Sequence, residues 1–381
     1  MKKNVAALAA PLLFSLGVAA GPVLADDGNR PFRVFTDRDV DTFAVLQKGV
    51  RFPEGIAANP ANGDIYVATF DGGGNNKLQR FDRHGRLLAS RDFGAEALLG
   101  LIFDPVQNKV YICNARALVL PGATPPRSKI QRISASFNST TPIEDVADIP
   151  FVPGAPGTRK EGNPDGSVDT INFGFGGTRA APNALEFNKQ GDLFISDSFQ
   201  GAIFRIMNVR TCVNPCFVDT FVQDPILATA GFPPFGANGL AFNDDEQHPA
   251  LFVANTGDDR VLKLDLGTMK FSVFAESING ADGLVFDKRS GLLWVCANQA
   301  DEVIALNANG KPVARLGEFR GINRDGTPDG LLFPASPVIV GNEIFVTNLA
   351  IALRGVPGNE PEEDVKLWTI SRMRLPDREE D

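Results

Sequence analysis

Short apolar stretches recur along the chain, separated by turns rich in Gly, Pro, Asn and Asp. Six of them open after a Pro/Gly/Ala-rich turn: Pro53–Ala57, Leu99–Phe103, Pro182–Phe187, Ala237–Phe242, Ala281–Phe286 and Ala335–Val340. A second apolar run follows each about ten residues on, as IYVAT, VYICN, LFISD, LFVAN, LWVCA or IFVTN. A third comes as KLQRF, KIQRI, AIFRI, VLKLD, VIALN or KLWTI. Runs this short, bounded by turn residues and rich in Val, Ile and aromatic side chains, predict strands. Fourth strands are predicted at 87–93, 144–149, 217–222, 270–275 and 312–319. The sixth set has none after Lys366–Ile370, and Phe32–Thr36, which resembles Phe271–Ala275, is expected to supply it.

The openings are anchored at 54, 100, 183, 238, 282 and 336, which gives a common unit of about 45 residues with insertions in places. A unit of this length cannot bury both faces alone and must stack on its neighbours. The expected fold is all-β: one domain over residues 26–381, a six-bladed β-propeller of four-stranded blades. An N-terminal strand is expected to close the ring and remove its exposed edges. Strand direction places the insertions at 114–128, 151–181, 223–236, 317–333 and 348–364 on one rim. The opposite rim carries tight turns such as Asp82–Gly85 and Asn307–Gly310. Long loops on one rim commonly build a binding site. Phe173, Phe175, Phe232 and Phe235 lie on those loops and are candidates for an apolar substrate wall, the alternative being aromatics that merely pin the loops.

The chain start changes the expected location. Lys2 and Lys3, an apolar run over 5–20 and Val23-Leu24-Ala25 read as an export signal over residues 1–25. The mature protein is then periplasmic or secreted and begins at about Asp26, and losing the two lysines moves its formal charge from −9 to −11. An acidic chain without a basic run argues against nucleic acid as a partner. No later segment is long and apolar enough to span a bilayer, and a monomer acting on a small molecule is expected. Cys212 and Cys216 bracket Val-Asn-Pro and form a local disulfide in an oxidising compartment, or else remain two loop thiols. Cys113 and Cys296, at matching points of two second strands, are expected to be buried small hydrophobes.

Four of the six openings carry an oxygen-bearing side chain: Glu54, Asn183, Asn238 and Asp282. Equivalent positions converge on the axis of a stacked ring, so these four should meet there. Two carboxylates and two amide carbonyls, without sulfur or imidazole, suit one divalent hard cation, above all Ca²⁺. The plainer alternative is that Asn and Asp cap the turns before each inner strand, which accounts for single instances but not for Glu54. Asn163–Asp169 (NPDGSVD) and Asn323–Gly330 (NRDGTPDG) faintly resemble calcium loops but lack the terminal glutamate, and are read as turns.

The ordered set Glu, gap, Asn, Asn, Asp across successive inner strands resembles the SMP-30/gluconolactonase group of six-bladed propellers. Its relatives include calcium-dependent lactonases, paraoxonases and diisopropyl-fluorophosphatase. Phrases such as PEGIAANPANGDIYVAT and ADGLVFDKRSGLLWVC carry the resemblance, which covers nearly all of the mature chain. It implies a divalent ion on Glu54, Asn183, Asn238 and Asp282, with Asp282 also as general base or nucleophile. The chain departs from the paraoxonase branch in having two histidines only, His84 and His248, neither at a site position. The expected activity is therefore metal-dependent opening of a lactone or similar ester. The alternatives are a non-catalytic binding or scaffold propeller and a non-hydrolytic, strictosidine-synthase-like enzyme.

Overall fold

The computed structural model describes residues 34–119, 127–152, 158–173, 179–244, 249–354 and 359–376. The expected signal segment, Phe175 and His248 lie outside the described residues. Those described form six propeller blades of four antiparallel strands each, with a fifth strand added in parallel at the edge of blade five, and two separate two-stranded hairpins. Blade one is Pro53–Asn59, Asp64–Thr69, Asn76–Phe81 and Leu87–Gly94 from axis to rim, and blade two runs from Leu98–Asp104 to Glu144–Asp148. The next three open with inner strands Pro182–Phe187, Ala237–Asn243 and Ala281–Asp287, and blade six with Pro334–Val340.

The second strand of each blade is apolar on both faces because it is sandwiched between neighbours, and every residue of Asp64–Thr69 is buried. The core accordingly lies between blades. One cluster joins Tyr111, Cys113 and Ile130 of blade two to Leu193, Ile195 and Phe204 of blade three. Cys113 and Cys296 are fully buried in different clusters, and burial pushes both thiols well above their usual range. Cys212 and Cys216 are disulfide-bonded, with Cα atoms 5.5 Å apart.

Ring closure follows the expected principle with a different strand. Asp41–Val45 pairs antiparallel with Thr369–Arg374 and completes blade six. Within the expected segment, Phe35 and Thr36 begin the strand Phe35–Asp37, which instead adds in parallel to the outer strand of blade five at Ala314, Arg315 and Leu316. Packing decides between them: Phe43 meets the edge of Phe345 at 4.8 Å and Ala44 is buried, whereas Phe35 is 46% exposed. The third strand of blade six begins at Thr369 rather than Lys366, because Trp368 turns upward and its Nε1 donates to the carbonyl of Leu349 at 3.1 Å.

Two insertions contain hairpins where only loops were expected, Thr158–Gly162 with Val168–Asn172 and Phe319–Ile322 with Pro328–Gly330. The two calcium-loop look-alikes are their turns. Asn163 N donates to Ser167 O and Asn323 N to Thr327 O, each at 2.8 Å. Asp165 and Asp325 accept from the backbone N–H of Ser167 and Thr327 at 2.8 and 3.0 Å.

Candidate metal and substrate site at the propeller axis

Every inner strand is irregular at the same place. Pairing slips between Pro53 and Ile56, Leu98 and Leu101, Pro182 and Leu185, Ala237 and Leu240, Ala281 and Leu284, and Pro334 and Pro337. The slip re-aims the second residue of each strand, as bulges beside functional sites do. Those residues are Glu54, Leu99, Asn183, Asn238, Asp282 and Ala335. The inner strands crowd so closely here that a Cβ on Gly55 would lie inside the carbonyl of Leu99, and one on Gly239 inside that of Asp282. Glycine after the axial residue is thus a consequence of blade-to-blade contact.

Hydroxyls in, or one residue past, the second strands of three blades donate to the neighbouring inner strand. Ser196 Oγ donates to Asn238 O at 2.6 Å, Thr256 Oγ1 to Ala281 O at 2.7 Å and Thr347 Oγ1 to Glu54 O at 2.6 Å. One step beyond the second strand stands a supporting residue: Phe70, Ala115, Ser198, Thr256, Asn298 or Leu349. It is polar in the three blades whose axial residue is Asn or Asp. Asn183 Nδ2 donates to Ser198 Oγ at 3.0 Å, and Asn238 Nδ2 donates to Thr256 Oγ1 at 2.9 Å. Asn298 Nδ2 donates to Asp282 Oδ2 at 3.0 Å. Sequence reasoning missed Ser198, Thr256 and Asn298, although their constant offset from the second strand carries the signal.

Glu54, Asn183, Asn238 and Asp282 line one pocket of about 70 Å³. A larger cavity of about 200 Å³ continues below them as the central channel between the inner strands, reaching Glu186. All four axial residues are at least 95% buried. Glu54 Oε2 and Asp282 Oδ1 have no hydrogen-bond partner. Burial, and then the neighbouring Asp282 charge, hold the Glu54 carboxyl well above its usual range. Burial pushes Asp282 up to about 7, against hydrogen bonds from Asn298 and Asn238. Two ionised carboxylates at one buried point are costly unless a cation joins them. The donors present fit a hard divalent cation on three counts: all are oxygens, two are carboxylates with an open oxygen, and one N–H of each asparagine is held away by a hydroxyl. Among the described residues no three His, Cys, Asp or Glu side chains cluster, so the fit depends on the two amides.

Of the expected phenylalanines, Phe235 lines the pocket and packs on Phe199 with ring centroids 5.5 Å apart. Phe173 stands away, its face taken by the Arg159 guanidinium at 5.6 Å. Phe232 is 48% exposed and outside the pocket lining. The remaining apolar lining, Phe70, Leu99, Pro233, Phe333, Leu349, Ile351 and Leu353, was not anticipated. Exposed His84 lies in the Asp82–Gly85 turn and accepts from Arg83 Nε at 3.1 Å.

Similarity to known proteins extends this picture at the level of the fold. Luciferin-regenerating enzyme superposes with a TM-score of 0.54 at 14% identity over 86% of this chain and 92% of its own. Regucalcin from Agrobacterium tumefaciens gives 0.53 at 15% identity over 88% and 94%. Streptogramin B lyase gives 0.50 at 10% identity over 88% and 97%. The first two are six-bladed propellers of the SMP-30/gluconolactonase kind that the sequence resembles. No protein-family model and no curated protein sequence matches the chain. Among the described residues, no helix is long and apolar enough to cross a membrane.

Proposed function

We propose that this protein is an exported hydrolase that opens a lactone or similar ester, using one divalent cation, Ca²⁺ by its donor chemistry, held by Glu54, Asn183, Asn238 and Asp282. The observation that carries the reading is the pair of buried carboxylates with unpartnered oxygens, set between two amides under an apolar mouth. Regucalcin, which shares the fold, is a calcium-binding protein, and this supports the choice of ion. The leader-like start of the chain and the Cys212–Cys216 disulfide support export.

When bound, the ion supplies positive charge that polarises a carbonyl and favours the oxyanion. Asn298 holds Asp282 Oδ2 and so fixes the carboxylate that both faces the ion and is placed to take a proton from water. The water oxygen bonds to the carbonyl carbon and the ester C–O bond breaks. The departing oxygen takes back the proton, leaving a hydroxy acid. Glu54 contributes charge at the ion, and the apolar mouth excludes bulk water.

Elemental analysis and melting with and without chelator test the ion. We expect about one calcium per chain, a lower melting temperature in Glu54→Gln and Asn238→Ala, and a loss of the same kind in the parent with chelator, because an ion bound only by the native state stabilises it by mass action. A calcium-dependent screen of lactones, aryl esters and phosphotriesters tests the chemistry. A protein without an ion, indifferent to calcium and inert to the whole panel, would shift the reading to a binding module.

A further inference from the structure

The six-fold repeat makes the two sides of the site directly comparable. Blades three, four and five place Asn183, Asn238 and Asp282 at the axis, each backed by Ser198, Thr256 or Asn298. At the same positions blades six and two place Ala335 and Leu99, backed by Leu349 and Ala115. Blade one joins both sides: Glu54 is its axial residue, but its supporting residue is Phe70. The site is therefore polar on one half of the ring and apolar on the other.

The polar half offers a substrate few donors. Thr256 Oγ1 accepts from Asn238 and donates to Ala281 O, while Asn183 and Asn298 spend amide N–H groups on Ser198 and Asp282. The unpartnered atoms of the lining are all acceptors: Glu54 Oε2, Asp282 Oδ1 and Asn298 Oδ1. Among the described residues that line the pocket there is no lysine, arginine or histidine. Above them, Leu349, Ile351 and Leu353 pack with Phe333, and Phe235 and Pro233 face the same space.

Resting on the hydrolase reading, we infer that the substrate is a neutral lactone or ester with an alkyl or aryl body, not a polyhydroxylated or anionic one. The hydroxyls of a sugar lactone would lose water and meet Leu, Ile and Phe side chains, leaving them unpaired. An added carboxylate or phosphate would find no cationic side chain among the described residues of the lining. An alkyl or aryl body instead gains from leaving water, and Ile351 and Leu353 are the residues that select it.

Binding can be read apart from turnover by titrating the calcium-loaded protein calorimetrically with lactams, the slowly hydrolysed counterparts of lactones. A γ-lactam bearing a hexyl chain is compared with the lactam of a polyhydroxylated hexonic acid. The hexyl compound should bind at least about ten-fold tighter, with affinity rising roughly three- to four-fold per methylene along an alkyl series. Ile351→Asn should reduce that gain while calcium affinity is unchanged; half-buried Leu353→Gln serves as a second variant should the first fail to fold. Equal or tighter binding of the polyhydroxylated lactam, or binding of neither, overturns the inference. If the alkyl lactams bind as described and no lactone or ester is turned over, apolar recognition stands and the hydrolase reading falls.

Discussion

Residue chemistry at the axis is a matter of two carboxylates whose surroundings oppose their charge. Asp282→Asn keeps size and an oxygen donor but removes the proton acceptor, so at saturating calcium turnover should fall by roughly two or more orders of magnitude. Asn298→Ala should cost less, about ten- to a hundred-fold, as loss of an outer partner does. It should also move the acidic limb of the pH–rate profile to higher pH, because the Asn298 hydrogen bond lowers the Asp282 pKa. A merely structural Asn298 would leave that limb in place. Behind the apolar wall, Asp301 Oδ1 accepts from Phe333 N at 2.7 Å, and burial pushes Asp301 up to about 6. Burial likewise pushes Glu362 up to about 7, with the Asp301 charge adding to the rise. A carboxyl held above its unfolded value favours the native state while protonated and disfavours it as pH rises through that window. Stability should fall between about pH 4.5 and 7, and Glu362→Gln should flatten part of that fall. Urea melts at pH 5 and pH 8 in saturating calcium check this. Parent and variant should be close at pH 5, and the variant more stable at pH 8 by on the order of 1–2 kcal/mol.

At the scale of the element, the bulge that opens each inner strand re-aims one residue per blade at the axis. Its requirement is space, and Gly55→Ala tests it: the new Cβ would collide with the backbone carbonyl of Leu99. Stability should drop by about 1–3 kcal/mol or more, as overpacking does, measured by urea melts. Gly72→Ala, with no neighbour within 4 Å, should melt close to the parent. The axial residues were legible in the sequence because a repeat fixes their position without any knowledge of distance. The supporting residues obey the same repeat but change identity from Phe70 to Ala115 to Ser198, so no motif marks them. The hairpins at 158–172 and 319–330 escaped because their strands are short and partly polar, TRKEG against VDTIN for one. Arg159, whose ion pair with Asp258 at 2.6 Å ties the first hairpin to blade four, signals nothing until the fold brings it there.

For the whole molecule, closure is what makes six marginal sheets one structure. Hydroxyls bridge blade three to four, four to five and six to one, and the last contact, Thr347 to Glu54, crosses the seam of the chain. An outer strand was the part of the ring hardest to place from sequence, because such strands are half exposed and two N-terminal segments suit the role equally by pattern. Phe43 against Phe345, with Ala44 and Leu46 buried beside them, settles it in favour of Asp41–Val45. Two truncations separate the strands. A chain beginning at Asp39 loses Phe35–Asp37, the fifth strand of blade five, and the Arg38–Glu318 ion pair but keeps Asp41–Val45, and should melt within about 3 °C of the parent, the shift of a sub-kcal/mol change. A chain beginning at Lys48 also loses Asp41–Val45, which bares the edge of Thr369–Arg374 and uncovers Phe345. That edge lies at the seam, so its exposure should destabilise the whole ring and favour aggregation through unpaired backbone. Scanning calorimetry and light scattering on the two chains decide the matter: a Lys48 chain that melts with the parent, or an Asp39 chain that does not fold, would put the closing strand elsewhere.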